Sequence, residues 1–214
     1  MVGNVKISIK ELSLKIGEDT ILEDINAEFE SGKIYGLIGR NGSGKTMLMK
    51  CICGYIRPTS GEIWVEGKKL GKDMDFPDNL GVIIEVPGFI PYYSGMKNLM
   101  LLAGLRGKIG KEEVREAIEK VGLNPDMKKS VSKYSLGMRQ RLGIAQAVME
   151  NPDILILDEP MNGLDVDGVE DIRKLLESWR QPGKLVILAS HMTEDIRRLC
   201  DVVFRMEKGK LKAE

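Results

Sequence analysis

The stretch Gly39-Arg40-Asn41-Gly42-Ser43-Gly44-Lys45-Thr46 restricts this chain more than any other. It fits the pattern G-x-x-x-x-G-K-[ST], in which glycines let the backbone adopt positive φ and curl its N–H groups around an anion. A helix that begins at the end of such a loop directs the positive end of its dipole at the bound group. The flanks agree with that geometry: Ile34 to Ile38 is a short apolar run, and Thr46 to Ile52 reads as a helix. Lys45 can then reach the β- and γ-phosphates of a nucleoside triphosphate, and the Thr46 hydroxyl can ligate Mg2+. Ordinary residue frequencies would produce the pattern by accident in about 1% of chains this long. Gly39 to Thr46 therefore reads as a triphosphate loop.

The remaining pattern supplies the sheet that such a loop needs. Val5, Ile7 and Ile9 alternate with polar residues, as in a half-buried strand. Glu62 to Val65 reads as a strand running into the turn at Glu66-Gly67, and Leu80 to Ile84 as another. Val114, Ile118 and Val121 share one face of a helix over residues 111–121. Ile154 to Leu157 and Leu185 to Leu188 are continuous apolar runs of the kind buried on both faces of a parallel sheet. Val169, Ile172, Leu176 and Trp179 mark a helix between them. Thr193 to Cys200 reads as a shorter helix, and Val202 to Met206 as a last strand. Strands alternating with helices predict an α/β fold with a mainly parallel sheet. There are no internal repeats or evident linkers, so all 214 residues are expected to form one domain.

Composition narrows the setting. Lysine plus arginine, 32, balances aspartate plus glutamate, 32. That balance argues against a nucleic-acid binder, which carries excess positive charge on one face. Three cysteines do not make a disulfide framework for a domain of this size. Cys51 and Cys53 lie two apart in a helical segment and should point to different sides, so they read as core thiols in a reducing compartment. No apolar run approaches the roughly 20 residues that cross a bilayer as a helix. The start, Met1-Val2-Gly3-Asn4, has neither the basic nor the apolar region of a leader. The expectation is a cytoplasmic chain that another polypeptide must hold if it works at a membrane.

The run Ile154 to Leu157 ends in Asp158-Glu159-Pro160. A carboxylate at the C-terminal end of a buried parallel strand lies where ligands bind in open α/β sheets. Alone, the pair could be a solvated turn. Downstream of a triphosphate loop, Asp158 can hold Mg2+ beside Thr46, and Glu159 can accept a proton from an attacking water.

Tyr134-Ser135-Leu136-Gly137-Met138-Arg139-Gln140-Arg141 precedes that strand and opens an apolar helix through Ile144, Ala147 and Val148. It resembles the signature motif of the ABC ATPases, L-S-G-G-Q, in the form Y-S-L-G-M, and Ser135 also reads as a helix cap. The resemblance runs through essentially the whole chain in family order. Arg57 to Glu62 is similar to the connection after the first helix. Asn162-Gly163-Leu164-Asp165 is similar to the D-loop, and His191 to the switch histidine. The family fold this implies is a P-loop NTPase core with a mainly parallel sheet, an N-terminal antiparallel β subdomain and an α-helical subdomain inserted at approximately 88–135. The resemblance also implies an Mg2+-dependent ATPase. Gly39, Asn41, Gly42, Ser43, Gly44, Lys45, Thr46 and Met47 would hold the nucleotide, Thr46 and Asp158 the metal. Glu159 would be the base, and His191 would contact the γ-phosphate. Ser135, Gly137 and Asp165 would act in trans, on ATP held by a second copy or a homologous ATPase subunit.

Four positions depart from the family pattern. Leu136 and Met138 replace a glycine and the glutamine of the signature. Glu85 stands where the family has the Q-loop glutamine; it could still ligate Mg2+ or orient water, but it adds negative charge near ATP. Glu85 and Y-S-L-G-M together are similar to exporters of the bacitracin-resistance and lantibiotic-immunity type. Ile16 occupies the place of the aromatic residue that covers adenine, which implies modest affinity and weak discrimination between ATP and GTP. The reading is thus the ATPase subunit of an exporter at the inner face of the cell membrane, docked to a separate transmembrane permease through the apolar loop Pro87 to Tyr93. The alternative is an ABC ATPase acting on nucleic acid or ribosomes. Such members usually carry coiled coils, zinc modules or two such domains in one chain, so no nucleic-acid partner is expected.

Overall fold

The computed structural model describes residues 4–85 and 87–214, so the leader reading of Met1, Val2 and Gly3 falls outside it. In chain order, β1 (Lys6–Ile16) and β2 (Asp19–Glu30) form a hairpin, β3 (Ile34–Ile38) runs into the glycine loop, and α1 (Lys45–Ile52) leaves it. β4 (Ser60–Val65), β5 (Lys68–Lys69) and β6 (Leu80–Ile83) follow. Next come α2 (Gly95–Arg106), α3 (Lys111–Lys120), a 3-10 turn at Val131–Lys133 and α4 (Leu136–Val148). The last part alternates: β7 (Ile154–Asp158), α5 (Val166–Glu177), β8 (Leu185–Ala189), α6 (Thr193–Leu199), β9 (Val202–Glu207) and β10 (Lys210–Ala213).

The strands make two sheets. One has the order β2-β1-β4-β5 and is antiparallel throughout. The other has the order β10-β9-β3-β8-β7-β6, and every pairing in it is parallel except β9 with β10. This is the α/β P-loop architecture, with the mainly parallel core and the antiparallel N-terminal sheet that the resemblance implies.

β7 shows why the runs are apolar without alternation. Ile154 and Ile156 join the core beneath the N-terminal sheet and α1, with Leu48 and Met49. Leu155 and Leu157 join the opposite core with Leu142, Ile144, Ile172 and Leu176 of the helices. Both faces are covered, so neither can be polar. Parallel register then aligns the strand ends: Asp158 pairs with Ala189, and Leu37 also pairs with Ala189. The glycine loop, Asp158-Glu159 and Ser190-His191 are thereby gathered along one edge of the sheet.

One strand runs on past the alternation that marked it, and one expectation is corrected. β1 continues to Ile16 because Glu11 takes φ 50° and the pairing shifts register between Ile9 and Leu12, so the alternation breaks while the strand does not. Cys51 and Cys53 are buried as expected but join the same core cluster. α1 ends at Ile52, and Cys53 at its C-cap reaches the same core as Cys51.

Candidate nucleotide site

Gly44 occupies the N-cap of α1 at φ 112°, a conformation that L side chains rarely adopt. It brings no side-chain oxygen to cap the helix, whereas Ser94, Ser135 and Asp165 do so for α2, α4 and α5. The first amides of α1 are thus left for an anion. Lys45 donates back to the carbonyls of Gly39 at 2.7 Å and Arg40 at 3.3 Å, bracing the loop. The turn between β9 and β10 supports it from behind, through Gly209 N–H to the Ser43 carbonyl at 3.0 Å. Ser43 Oγ is buried, with no hydrogen-bond partner among the described residues. A buried hydroxyl left unpaired is costly, and a phosphate oxygen would satisfy it. The loop therefore fits a polyphosphate.

Thr46 and Asp158 are 112 positions apart, yet Thr46 Oγ1 donates to Asp158 Oδ2 at 2.6 Å. Among the described residues no three His, Cys, Asp or Glu side chains converge as a metal cage. Mg2+ shared with phosphates takes only one or two protein oxygens, and this hard-oxygen pair fits that role. Glu85 is placed differently. Its residue adopts φ 63°, and Oε1 lies 2.5 Å from Lys50 Nζ. The structure pairs it with Lys50 and brings it to neither Thr46 nor Asp158.

Glu159 takes φ 51° beyond the end of β7, and its N–H donates to the Ala189 carbonyl at 2.9 Å. Its Oε2 lies 2.7 Å from His191 Nδ1 and also accepts from His191 N–H at 3.3 Å. Gln140 of α4, beyond the residues singled out from sequence, donates from Nε2 to the carbonyls of Glu159 at 3.2 Å and Pro160 at 3.1 Å. It ties the signature helix to the acidic turn.

Ser135 caps α4 by accepting from Met138 N–H at 3.1 Å. Asp165 caps α5 by accepting from Gly168 N–H at 3.0 Å. A Cβ at Gly137 would stand 2.7 Å from the Gly163 carbonyl, so signature and D-loop pack backbone to backbone within one chain. Leu136 covers Gly163 from the side and exposes the rest of its side chain. The cleft of about 470 Å³ over the loop is lined by Ile21, Asn41 to Met47, Asp158 and Glu159. Neither the signature nor Ile16 is among those residues. Ile16 ends β1 in an exposed position, and the aliphatic residue beside the loop is Ile21.

A family profile described as ABC transporter matches residues 22–162. The chain belongs to the ABC transporter family. It is 43% identical to the uncharacterized ABC transporter ATP-binding protein YybJ of Bacillus subtilis (strain 168) over 205 residues, 96% of this chain and 94% of that one. It is 41% identical to the bacitracin transport ATP-binding protein BcrA of Enterococcus faecalis, covering 100% of this chain and 70% of that protein. The dimeric bacterial ABC transporter cassette MJ0796 has the same fold, with a TM-score of 0.87 over 97% of both chains at 23% identity. As an ABC transporter ATP-binding subunit, the chain binds ATP and hydrolyses it. Among the described residues no helix is long and apolar enough to cross a membrane.

Proposed function

We propose that this ABC transporter subunit powers an exporter as a head-to-tail dimer, seated at the inner face of the cell membrane beneath a separate permease. The observation that carries the dimer is the composition of the cleft. The loop, Asp158 and Glu159 line it, but the signature of the same chain does not. A second copy, or a homologous subunit, supplies Ser135 and Gly137 with Asp165 beside them. The export reading rests on the likeness to BcrA, together with Glu85 and Y-S-L-G-M. We take the whole chain as one ATPase domain, with 88–135 as its helical insertion.

Each residue then has a task. The amides of Gly42 to Met47 with Asn41, Ser43 and Lys45 grip the triphosphate. Thr46 and Asp158 would hold Mg2+, which supplies charge neutralisation at the phosphate oxygens. Glu159 accepts a proton from the attacking water. His191 fixes the Glu159 carboxylate through the 2.7 Å contact and steadies the terminal phosphate. Ile16 reaches the base as an edge cover.

The permease side is supported by Pro87 to Tyr93. Asn98 is buried and pins this segment, accepting from Ile90 N–H at 2.8 Å and donating to the Ile90 carbonyl at 3.1 Å. Tyr92 is left exposed, as are Leu101 and Leu105 on α2. The test is to purify the chain from membranes and identify what accompanies it, then to assay ATPase activity with and without Mg2+. A membrane-spanning companion and Mg2+-dependent turnover are expected. Activity equal in Mg2+ and in chelator would remove Thr46 and Asp158 from their roles.

A further inference from the structure

The ring of His191 is 60% exposed, so packing does not hold it. It lies in a short link between β8 and α6, and among the described residues no side chain caps α6 at Met192. Something else must fix this link if His191 is to keep its contact with Glu159.

The fixed groups lie just beneath it. Ser190 is 3% exposed, and its hydroxyl accepts from Met192 N–H at 3.1 Å and donates to Asp195 Oδ2 at 3.2 Å. These bonds straddle His191 and use the hydroxyl as both donor and acceptor, which settles its rotamer. Asp195 is fully buried in the first turn of α6. Its other oxygen, Oδ1, receives Arg173 of α5 from Nη2 at 2.6 Å and Nε at 3.1 Å. A buried carboxylate must be paired in this way, and here every oxygen has a named partner. Arg173 stands on the helix that Asp165 of the D-loop caps. An unbroken polar chain therefore runs from the D-loop helix through Arg173, Asp195 and Ser190 to the peptide that carries His191.

We propose that Ser190, Asp195 and Arg173 are positioning residues for His191. They act on hydrolysis by holding its backbone at the distance from which the ring meets Glu159. A buried ion pair alone would explain Arg173 and Asp195 as scaffold. It does not explain why the second carboxylate oxygen takes the hydroxyl that brackets the histidine. The inference rests on the role given to His191 above.

The test is steady-state ATPase kinetics with nucleotide binding measured in parallel. Ser190→Ala should lower kcat about tenfold, the scale on which a fraction of an ångström of misplacement acts, while KM and the affinity for ATP stay unchanged. Ser190→Thr should restore the rate. In a His191→Ala background, Ser190→Ala should cost less than about twofold more, because residues acting through one another give non-additive losses. Arg173→Met/Asp195→Leu replaces the buried pair by apolar groups, an exchange that folded proteins tolerate. It should fold and show the kcat deficit of Ser190→Ala. Additive losses, a Ser190→Ala enzyme of normal kcat, or a folded apolar-pair variant of full activity would each overturn the proposal. If His191→Ala itself keeps full kcat, the role given to His191 falls and this inference with it. A slow His191→Ala beside a normal Ser190→Ala overturns the inference alone.

Discussion

Lys50 Nζ lies 2.5 Å from Glu85 Oε1, and Lys50 stands one helical turn beyond Thr46 on α1. The pair matches with an ammonium the negative charge that Glu85 brings where the resembled family carries a glutamine. Both side chains reach solvent, so the pair is worth at most about 1 kcal/mol. Lys50→Ala should therefore raise KM for ATP by up to about fivefold. In a Glu85→Gln background the same substitution should change KM less than about twofold. Four ATPase titrations decide this, and equal effects in both backgrounds would separate the two residues.

Glu159→Gln keeps the shape of the side chain and removes its basicity. Hydrolysis should fall by about 10²- to 10⁴-fold, the usual contribution of a positioned general base, with ATP affinity retained. An ATP-bound dimer should then accumulate on a sizing column, because turnover no longer separates the subunits. Near-normal turnover by this variant would take Glu159 out of the catalytic role.

Gly137→Ala would put a Cβ 2.7 Å from the Gly163 carbonyl. Backbone cannot yield as a side-chain tip can, so the signature helix must part from the D-loop. Overpacking of this kind costs about 1–3 kcal/mol. The chain should still bind ATP as a monomer, since its cleft is lined by other residues. In the Glu159→Gln background, however, it should fail to form the ATP-bound dimer. A dimer of unchanged stability would show that Gly137 does not meet the partner's nucleotide.

The loop, the acidic pair and the histidine were legible because each follows a short apolar strand, and a parallel sheet sends all such strand ends to one edge. β2 was not legible. Leu22 and Ile25 are both buried three positions apart, because Asp24 takes φ 47° and bulges the strand before Ala27 and Phe29 resume alternation. α2 was also hidden: it leaves Leu101 and Leu105 exposed while burying Asn98 and Leu99, so no apolar stripe marks its face. The contacts of Gln140 with the acidic turn, and of Ser190 and Asp195 around His191, lie beyond any periodicity. They depend on how α4, α5 and α6 approach the sheet edge.

Burial pushes the thiols of Cys51 and Cys53 up to about 12 from an ordinary value of 9.0. Between those values the unfolded chain sheds thiol protons that the folded chain keeps. Their contribution is therefore complete below about pH 9 and is lost as pH rises toward 12, at about 1.4 kcal/mol per pH unit for each thiol. Urea midpoints should fall more steeply above about pH 9 than in a Cys51→Ala/Cys53→Ala variant. A thiol reagent at about pH 8 should label these residues only on unfolding. Rapid labelling of both in the native protein would contradict the packing.

Ile16→Tyr tests the base-binding end of the site. Ile16 closes β1 in an exposed position, and Ile21 is the aliphatic side chain that lines the loop cleft. A base resting near Ile16 meets a flexible hydrocarbon edge in place of a flat π-surface. The missing stacking is worth about 0.5–1.5 kcal/mol. ATP and GTP should bind the native chain with dissociation constants within about threefold of each other, because contact with hydrocarbon does not distinguish purine edges. Ile16→Tyr should tighten both by about two- to tenfold and leave kcat unchanged, since Ile16 is not among the residues that line the cleft with Glu159. Tyrosine at Ile21 should instead crowd the loop and weaken binding. If Ile16→Tyr does nothing and Ile21→Tyr tightens nucleotide, the base lies over β2 and Ile16 has no part in holding it.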